Sequence, residues 1–234
     1  MAGEGSRFLN EGWNTPKPLI ELKGVPLFKR AIGSVAIDGV DMKYSFIVRQ
    51  NHIDDYGIDV AIQKILPQAN IFSVKQTTRG AVETCLIAES AIEDDDAVIV
   101  MDCDLEFRSK RFEELLRESL STDAKVANGG LLVSFESTLP RYSYAETDGS
   151  DRVVRTAEKE VISTHALCGA YFFSTGRIFK DAARRLLNEA QFDKPEYYVS
   201  LLYNYLLREG QVVRLAPMEK YCSYGTPEEL KQYL

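Results

Sequence analysis

An α/β fold is the class this sequence predicts, and three observations carry it. From Tyr44 onward, short apolar runs alternate with amphipathic stretches of helical length, the pattern of strands covered by helices. The 234 residues, 45% hydrophobic and 27% charged, suffice for a substantial core. The apolar run Val98-Ile99-Val100-Met101 ends in Asp102-Cys103-Asp104, and open α/β sheets collect ligands at the carboxyl ends of their strands. No Ser/Gly-rich linker, charge block or internal repeat divides the chain, so a single domain over residues 1–234 is expected.

The first segment, Gly3–Phe8, is loop-like. An α/β domain ordinarily opens with a buried strand that leads into such a loop, so either a first strand is missing or the sheet is built without it, and a missing strand, as from a reading frame truncated at its N-terminus, is the expectation. Strands are predicted at Ser45–Arg49, Asn70–Val74, Ala97–Asp102, Gly130–Phe135, Val153–Thr156 and Ala170–Ser174, where apolar runs are short. Helices are predicted at Ile53–Ile65, Ala81–Ala91, Lys110–Leu120, Gly176–Asn188 and Tyr197–Glu209, where the apolar positions follow a helical period. Tyr142–Asp151 is polar and reads as a hairpin excursion. A last helix opens at Thr226, which can cap it, with Pro227 in its first turn and Glu228 and Glu229 complementing its positive end.

Composition excludes several classes. No apolar run is long enough to span a membrane, and Glu4, Arg7 and Asn10 stand where a secretion signal would need an apolar stretch, which points to the cytoplasm. Cys85, Cys103, Cys168 and Cys222 are scattered, with only His52 and His165 to join them, so they read as incidental thiols and not as a zinc site or a disulfide framework. A formal net charge of −7 opposes a nucleic-acid surface. An anionic ligand must then be held by a few local cations.

Two segments near the N-terminus supply them. In Gly3-Glu4-Gly5-Ser6-Arg7 the glycines let backbone N–H groups approach a triphosphate, and the Arg7 fork grips phosphate oxygens. Nine residues on, Pro16-Lys17-Pro18-Leu19 adds the Lys17 point charge on a stiffened segment. Asp102 and Asp104 fall on one face of an extended chain, and hard carboxylate oxygens beside a triphosphate indicate Mg²⁺.

Together with Gly24-Val25-Pro26-Leu27, these motifs resemble the sugar-nucleotide-forming nucleotidyltransferases, closest to members of capsule and surface-polysaccharide pathways. The likeness runs along nearly the whole chain. It implies a Rossmann-like three-layer α/β/α fold of the nucleotide-diphospho-sugar transferase type, with a mixed, mostly parallel sheet. It implies that Gly3 through Ser6 hold the nucleotide and that Arg7 and Lys17 are catalytic. Gln76 and Gly80, in Gln76-Thr77-Thr78-Arg79-Gly80, are expected to read the nucleobase. Glu158 and Lys159 are expected to take the acceptor's hydroxyl and phosphate, Gly169 to let a sugar ring pack on backbone, and Asp104 to be the metal-binding aspartate. His165 is expected to be structural. One departure stands out: Cys222-Ser223-Tyr224-Gly225-Thr226-Pro227-Glu228 matches the family's closing motif except that Ser223 replaces a second metal-binding aspartate. Asp102 or water would then supply the missing oxygen.

The reaction implied is attack of an acceptor phosphate, from a sugar 1-phosphate or a similar phosphorylated small molecule, on a nucleoside triphosphate with release of pyrophosphate. Three alternatives remain at this level. Asp102-Cys103-Asp104 is also the D-x-D pattern of glycosyltransferases that consume nucleotide-sugars; Ser223 and the missing strand would suit a catalytically weakened nucleotide-binding module; and phosphocholine-like acceptors suit the same architecture. A homo-oligomer is compatible with each reading.

Overall fold

The computed structural model describes all residues except 122–127, 190, 191 and 193. The chain begins with helix α1 (Ser6–Asn10), strands β1 (Glu21–Leu22) and β2 (Val25–Pro26), helix α2 (Leu27–Gly33) and strand β3 (Ser45–Arg49). Helices α3 (Gln50–Tyr56) and α4 (Ile58–Ile65), strand β4 (Asn70–Val74) and helix α5 (Ala81–Leu86) follow. Strands β5 (Val98–Met101) and β6 (Leu105–Arg108) precede helix α6 (Lys110–Leu120). Next come strands β7 (Asn128–Glu136), β8 (Ser143–Thr147), β9 (Val153–Glu158) and β10 (His165–Phe173), then helices α7 (Gly176–Leu187) and α8 (Leu202–Arg208). Strands β11 (Val212–Pro217) and β12 (Lys220–Ser223) and helix α9 (Pro227–Lys231) close the chain. No strand precedes α1 among the described residues. No described helix is long and apolar enough to cross a membrane.

The chain forms two compact units, each built from separated segments. The first comprises Met1–Thr78, Asp102–Phe107 and Tyr221–Leu234. Its strands β3 and β4 run parallel in register from Ser45↔Asn70 to Arg49↔Val74, and β6 pairs with β12. Phe28, Phe46, Val48, Ile58 and Ile62 form one buried cluster; Phe8, Ile20, Leu22, Leu27, Cys222, Tyr224 and Leu230 form another. The second cluster gathers α1, the Ile20–Leu27 stretch and the closing Cys222–Leu230 segment into one apolar packing unit.

The second unit comprises Arg79–Met101 and Arg108–Lys220 and carries a six-stranded sheet in the order β11-β7-β10-β8-β9, with β5 also on β10. Strands β5, β7, β8 and β11 point one way, and β9 and β10 oppose them. The sheet is therefore mixed, with most strands parallel in direction, although β10 lies between neighbours so that only β7 and β11 form a parallel ladder in it. Helices α7 and α8 pack on the face bearing Leu132, Tyr171 and Phe173, while α6 packs against β7 and β11. In α7 the buried Phe179, Ala182, Ala183 and Leu186 recur at i, i+3, i+4 and i+7, and Thr175 caps the helix by accepting from the Ile178 N–H.

Several boundaries differ from expectation. The predicted helix Ile53–Ile65 is two helices, because Gly57 adopts φ +59° and serves as the C-cap of α3 and the N-cap of α4. The predicted helix Ala81–Ala91 ends at Leu86 before a 3-10 turn at Glu89–Ala91, and Tyr197–Glu209 opens with a 3-10 turn at Val199–Leu201. Strand β5 stops at Met101, since the chain bends at Cys103 and Asp104 before β6. The polar excursion is a hairpin whose arms are β8 and β9. Strands β1, β2, β6, β11 and β12 have no counterpart in the predicted set, and the segment expected to be loop-like, Gly3–Phe8, enters helix α1 at Ser6.

Candidate active site

The first unit assembles the charged groups expected to meet a triphosphate. Lys17 lies in a 3-10 turn, Lys17–Leu19, entered through Pro16 with Pro18 buried behind it. Its ammonium donates to Asp104 Oδ2 at 2.5 Å and to the Gly225 carbonyl at 3.2 Å, and it stands 5.2 Å from the centroid of the buried Phe8 ring. Asp104 is fixed in turn, because the Tyr224 N–H donates to its carbonyl at 2.8 Å. Three motifs separated by 87 and 208 residues thus meet at one ammonium. The two side chains are only 18% and 25% exposed, so the pair is partly screened from solvent.

Beside it stands the departure at Ser223. The Ser223 hydroxyl donates to Glu229 Oε2 at 2.7 Å, and Glu229 closes a capping box on α9: Thr226 Oγ1 accepts from the Glu229 N–H, and Glu229 accepts from the Thr226 N–H. A Cβ built on Gly225 would lie 3.1 Å from Glu229 Oε2, 3.5 Å from Ser223 Oγ and 3.8 Å from Asp104 Oδ2. Three side-chain oxygens thus lie within 4 Å of that position, although no group of three or more His, Cys, Asp or Glu able to hold a metal ion occurs among the described residues. Asp102 is exposed, and because the chain bends after it, the alternation of an extended strand does not put it on one face with Asp104.

Gly5 takes φ +65° as the N-cap of α1, a conformation glycine adopts at little cost. Gly3, Ser6 and Arg7 are exposed, and Arg7 forms no ion pair among the described residues. The Glu4 carboxylate accepts from the Thr77 hydroxyl at 2.8 Å, and Arg49 donates to Thr77 Oγ1 at 3.2 Å. Glu4 thereby ties the glycine loop to the segment holding Gln76, which is exposed. A cleft of about 260 Å³ lies alongside, lined in part by Gly5, Lys17, Arg49 and His52. Burial, then the nearby Arg49 charge, lower the His52 pKa.

The second unit holds the expected acceptor residues. Glu158 is only 7% exposed, and both Ser143 and Ser200 donate to its Oε2. Lys159 has φ +56°, rare for a residue with a side chain; its N–H donates to the Tyr142 carbonyl at 3.1 Å and its ammonium to the Tyr198 hydroxyl at 2.7 Å. Gly169 has φ +95° in β10, where one edge changes partner from β8 at Ala166 to β5 at Ala170 and the register with β7 shifts. Gly80 is closed in by the backbone of Tyr197, whose nitrogen would lie 2.4 Å from an added Cβ. Close approach at Gly80 is thus made by Tyr197. His165 sits in β10, half-buried, with its backbone N–H donating to the Ser163 hydroxyl.

A family model described as nucleotidyl transferase matches residues 1–220. The chain belongs to this family. It is a nucleotidyltransferase, which sets aside the glycosyltransferase alternative drawn from the D-x-D pattern. No curated protein matches its sequence. Among solved structures, this nucleotidyltransferase is similar to the nucleoside-diphosphate-sugar pyrophosphorylase of Vibrio cholerae RC9, with 25% identity and a TM-score of 0.83 over 100% of this chain and 97% of that one. The inositol-1-phosphate CTP transferase of T. maritima shares the fold at 16% identity and a TM-score of 0.73, over 99% of this chain and 90% of that one.

Sequence reasoning did not single out Arg49, Tyr198 or Glu229 as partners of Glu4, Lys159 and Ser223, which they hydrogen-bond directly or, for Arg49, through Thr77. Only Glu229 left a signal, as the third residue of a capped helix.

Proposed function

We propose that this nucleotidyltransferase joins a sugar 1-phosphate to a nucleoside triphosphate in the cytoplasm and releases pyrophosphate, making an activated donor for surface-polysaccharide synthesis. The observation that carries this reading is the convergence of Lys17, Asp104 and Gly225, which unites the Pro16–Leu19 segment, the acidic strand end and the closing motif. The 25% identity with a nucleoside-diphosphate-sugar pyrophosphorylase supports a sugar phosphate as acceptor.

An acceptor phosphate oxygen attacks the α-phosphorus, the bond from that phosphorus to the bridging oxygen breaks, and pyrophosphate leaves with the electron pair. The acceptor is already anionic, so positioning and charge neutralisation supply the acceleration. Arg7 grips the leaving phosphates, Lys17 stabilises charge at the α- and β-phosphates, and Glu4 braces the glycine loop against the Gln76 segment that reads the base. Asp104 would hold Mg²⁺, with the Ser223 hydroxyl and Glu229 as neighbouring oxygens and Asp102 as a further candidate. Magnesium, when bound, offsets negative charge on the reacting phosphates. In the second unit, Lys159 receives the acceptor phosphate and Glu158 an acceptor hydroxyl.

The test is a panel of nucleoside triphosphates against sugar 1-phosphates, inositol 1-phosphate and phosphocholine, read by Mg²⁺-dependent pyrophosphate release. Release with a sugar 1-phosphate is expected. Nucleotide binding without release from any pair would favour the catalytically weakened module that Ser223 suggests.

A further inference from the structure

Lys159 is held in an unusual way. A lysine side chain carries about 2 kcal/mol of rotamer entropy, and an exposed one ordinarily spreads over many conformations. Here the backbone is already committed to φ +56°, with the N–H on the Tyr142 carbonyl, which fixes the direction in which the side chain leaves. At its far end the ammonium meets Tyr198 twice, through the hydroxyl at 2.7 Å and over the ring at 4.9 Å from the centroid. The residue two positions on, Ser200, donates to Glu158 Oε2 at 2.8 Å, and Ser143, which faces Glu158 across the β8–β9 ladder, donates to the same oxygen. Both donors converge on one oxygen, so Oε1 receives no hydrogen bond among the described residues. The short segment Tyr198–Ser200 therefore grips both members of the Glu158-Lys159 pair, the lysine by its head and the glutamate by one oxygen.

We infer that Tyr198 is a positioning residue for the acceptor: its hydroxyl and ring preset the Lys159 ammonium beside the anchored Glu158 carboxylate, so that the acceptor's phosphate meets a charge already in place. This rests on the reading of Glu158 and Lys159 as the acceptor pair. A Tyr198 acting through Lys159 leaves the triphosphate side untouched, and its loss raises the acceptor's KM because the ordering of Lys159 must then be met on binding.

A double-mutant cycle tests it, with the sugar 1-phosphate that gives the fastest pyrophosphate release as acceptor. Tyr198→Phe keeps the ring and deletes the hydroxyl; it should raise the acceptor KM by about three- to tenfold, the effect of one hydrogen bond to a partly exposed charge, with the triphosphate KM and thermal midpoint unchanged. In a Lys159→Ala background the same substitution should add nothing, since its only route of action is gone. Tyr198→Ala, which also removes the ring, should exceed Tyr198→Phe. An unchanged acceptor KM in Tyr198→Phe, or equal effects with and without Lys159, overturns the inference while leaving the acceptor pair standing. An unchanged acceptor KM in Lys159→Ala overturns the acceptor pair itself and the inference with it.

Discussion

Replacing Gly80 by alanine would place a methyl carbon 2.4 Å from the Tyr197 nitrogen, 2.7 Å from its carbonyl oxygen and 3.0 Å from its carbonyl carbon. All three are backbone atoms, so no rotamer change relieves the overlap. Moving Tyr197 breaks two hydrogen bonds that staple it to the turn, from its N–H to the Arg79 carbonyl and from the Val82 N–H to its own carbonyl, each 3.0 Å. The backbone at Gly80, φ 143° and ψ 178°, is also a region that residues with a Cβ enter only at about 1–3 kcal/mol. Overpacking of a fixed neighbour adds about 1–3 kcal/mol, and each lost hydrogen bond about 0.5–1.5 kcal/mol. These terms overlap, because one displacement relieves the overlap and breaks both bonds, and together they predict roughly 3–6 kcal/mol of destabilisation. For a chain of this size that is a fall in melting temperature of roughly 6–24 °C. Gly149→Ala is the control: φ there is +90°, yet an added Cβ meets nothing within 4 Å, so only the backbone term remains. The assay is urea denaturation followed by circular dichroism, with thermal melts beside it. A Gly80→Ala loss no larger than that of Gly149→Ala would refute the close approach of Tyr197 and the reasoning built on it.

Three further outcomes are expected. Lys17→Ala should lower turnover on the order of a hundredfold or more, as loss of a preorganised electrostatic donor does; unchanged steady-state pyrophosphate release would remove Lys17 from the reaction. Ser223→Asp should tighten Mn²⁺ binding, measured by electron paramagnetic resonance without substrates, because it adds a carboxylate where Ser223, Glu229 and Asp104 already face one space; weaker binding would show that the space is not used by a cation. The Arg214 guanidinium, joined by Arg111, hydrogen-bonds the Asp151 carboxyl and holds its pKa below the usual carboxylate range. A depressed pKa stabilises the fold above the unfolded value and loses that contribution as pH falls below about 4. Asp151→Asn should therefore cost stability in denaturant melts at pH 6, and the difference should shrink as pH falls below about 4; a difference that stays constant on acidification would count against the ion pair.

Several helices were legible before any tertiary contact. The Thr226 cap, with Pro227 and the glutamates after it, is a local arrangement, and α9 forms where those residues place it, starting at Pro227. Residues 110–120 and 176–187 likewise satisfy their periodicity within a few turns. The reading failed where a local pattern and a single glycine disagreed: apolar spacing runs straight through Gly57, but its left-handed conformation ends α3 and starts α4. It failed also at β11, whose hydrogen bonds come from β7, some eighty residues earlier, and at Asp102, where a bend cancels the face that alternation would assign.

From residue order alone came the α/β class, the glycine loop, Lys17 and Asp104, because each is a choice of residue type whose physics acts over a few positions. Tertiary structure decided what those residues meet. Lys17 reaches Asp104 and Gly225 only after segments 87 and 208 residues apart are brought together by packing, since nothing in their own sequence encodes that partner. The same holds for Gly80, whose missing side chain makes room for Tyr197, and for Lys159, whose ammonium is placed by Tyr198. Short-range propensity selects the parts, and burial of distant apolar surface selects their neighbours.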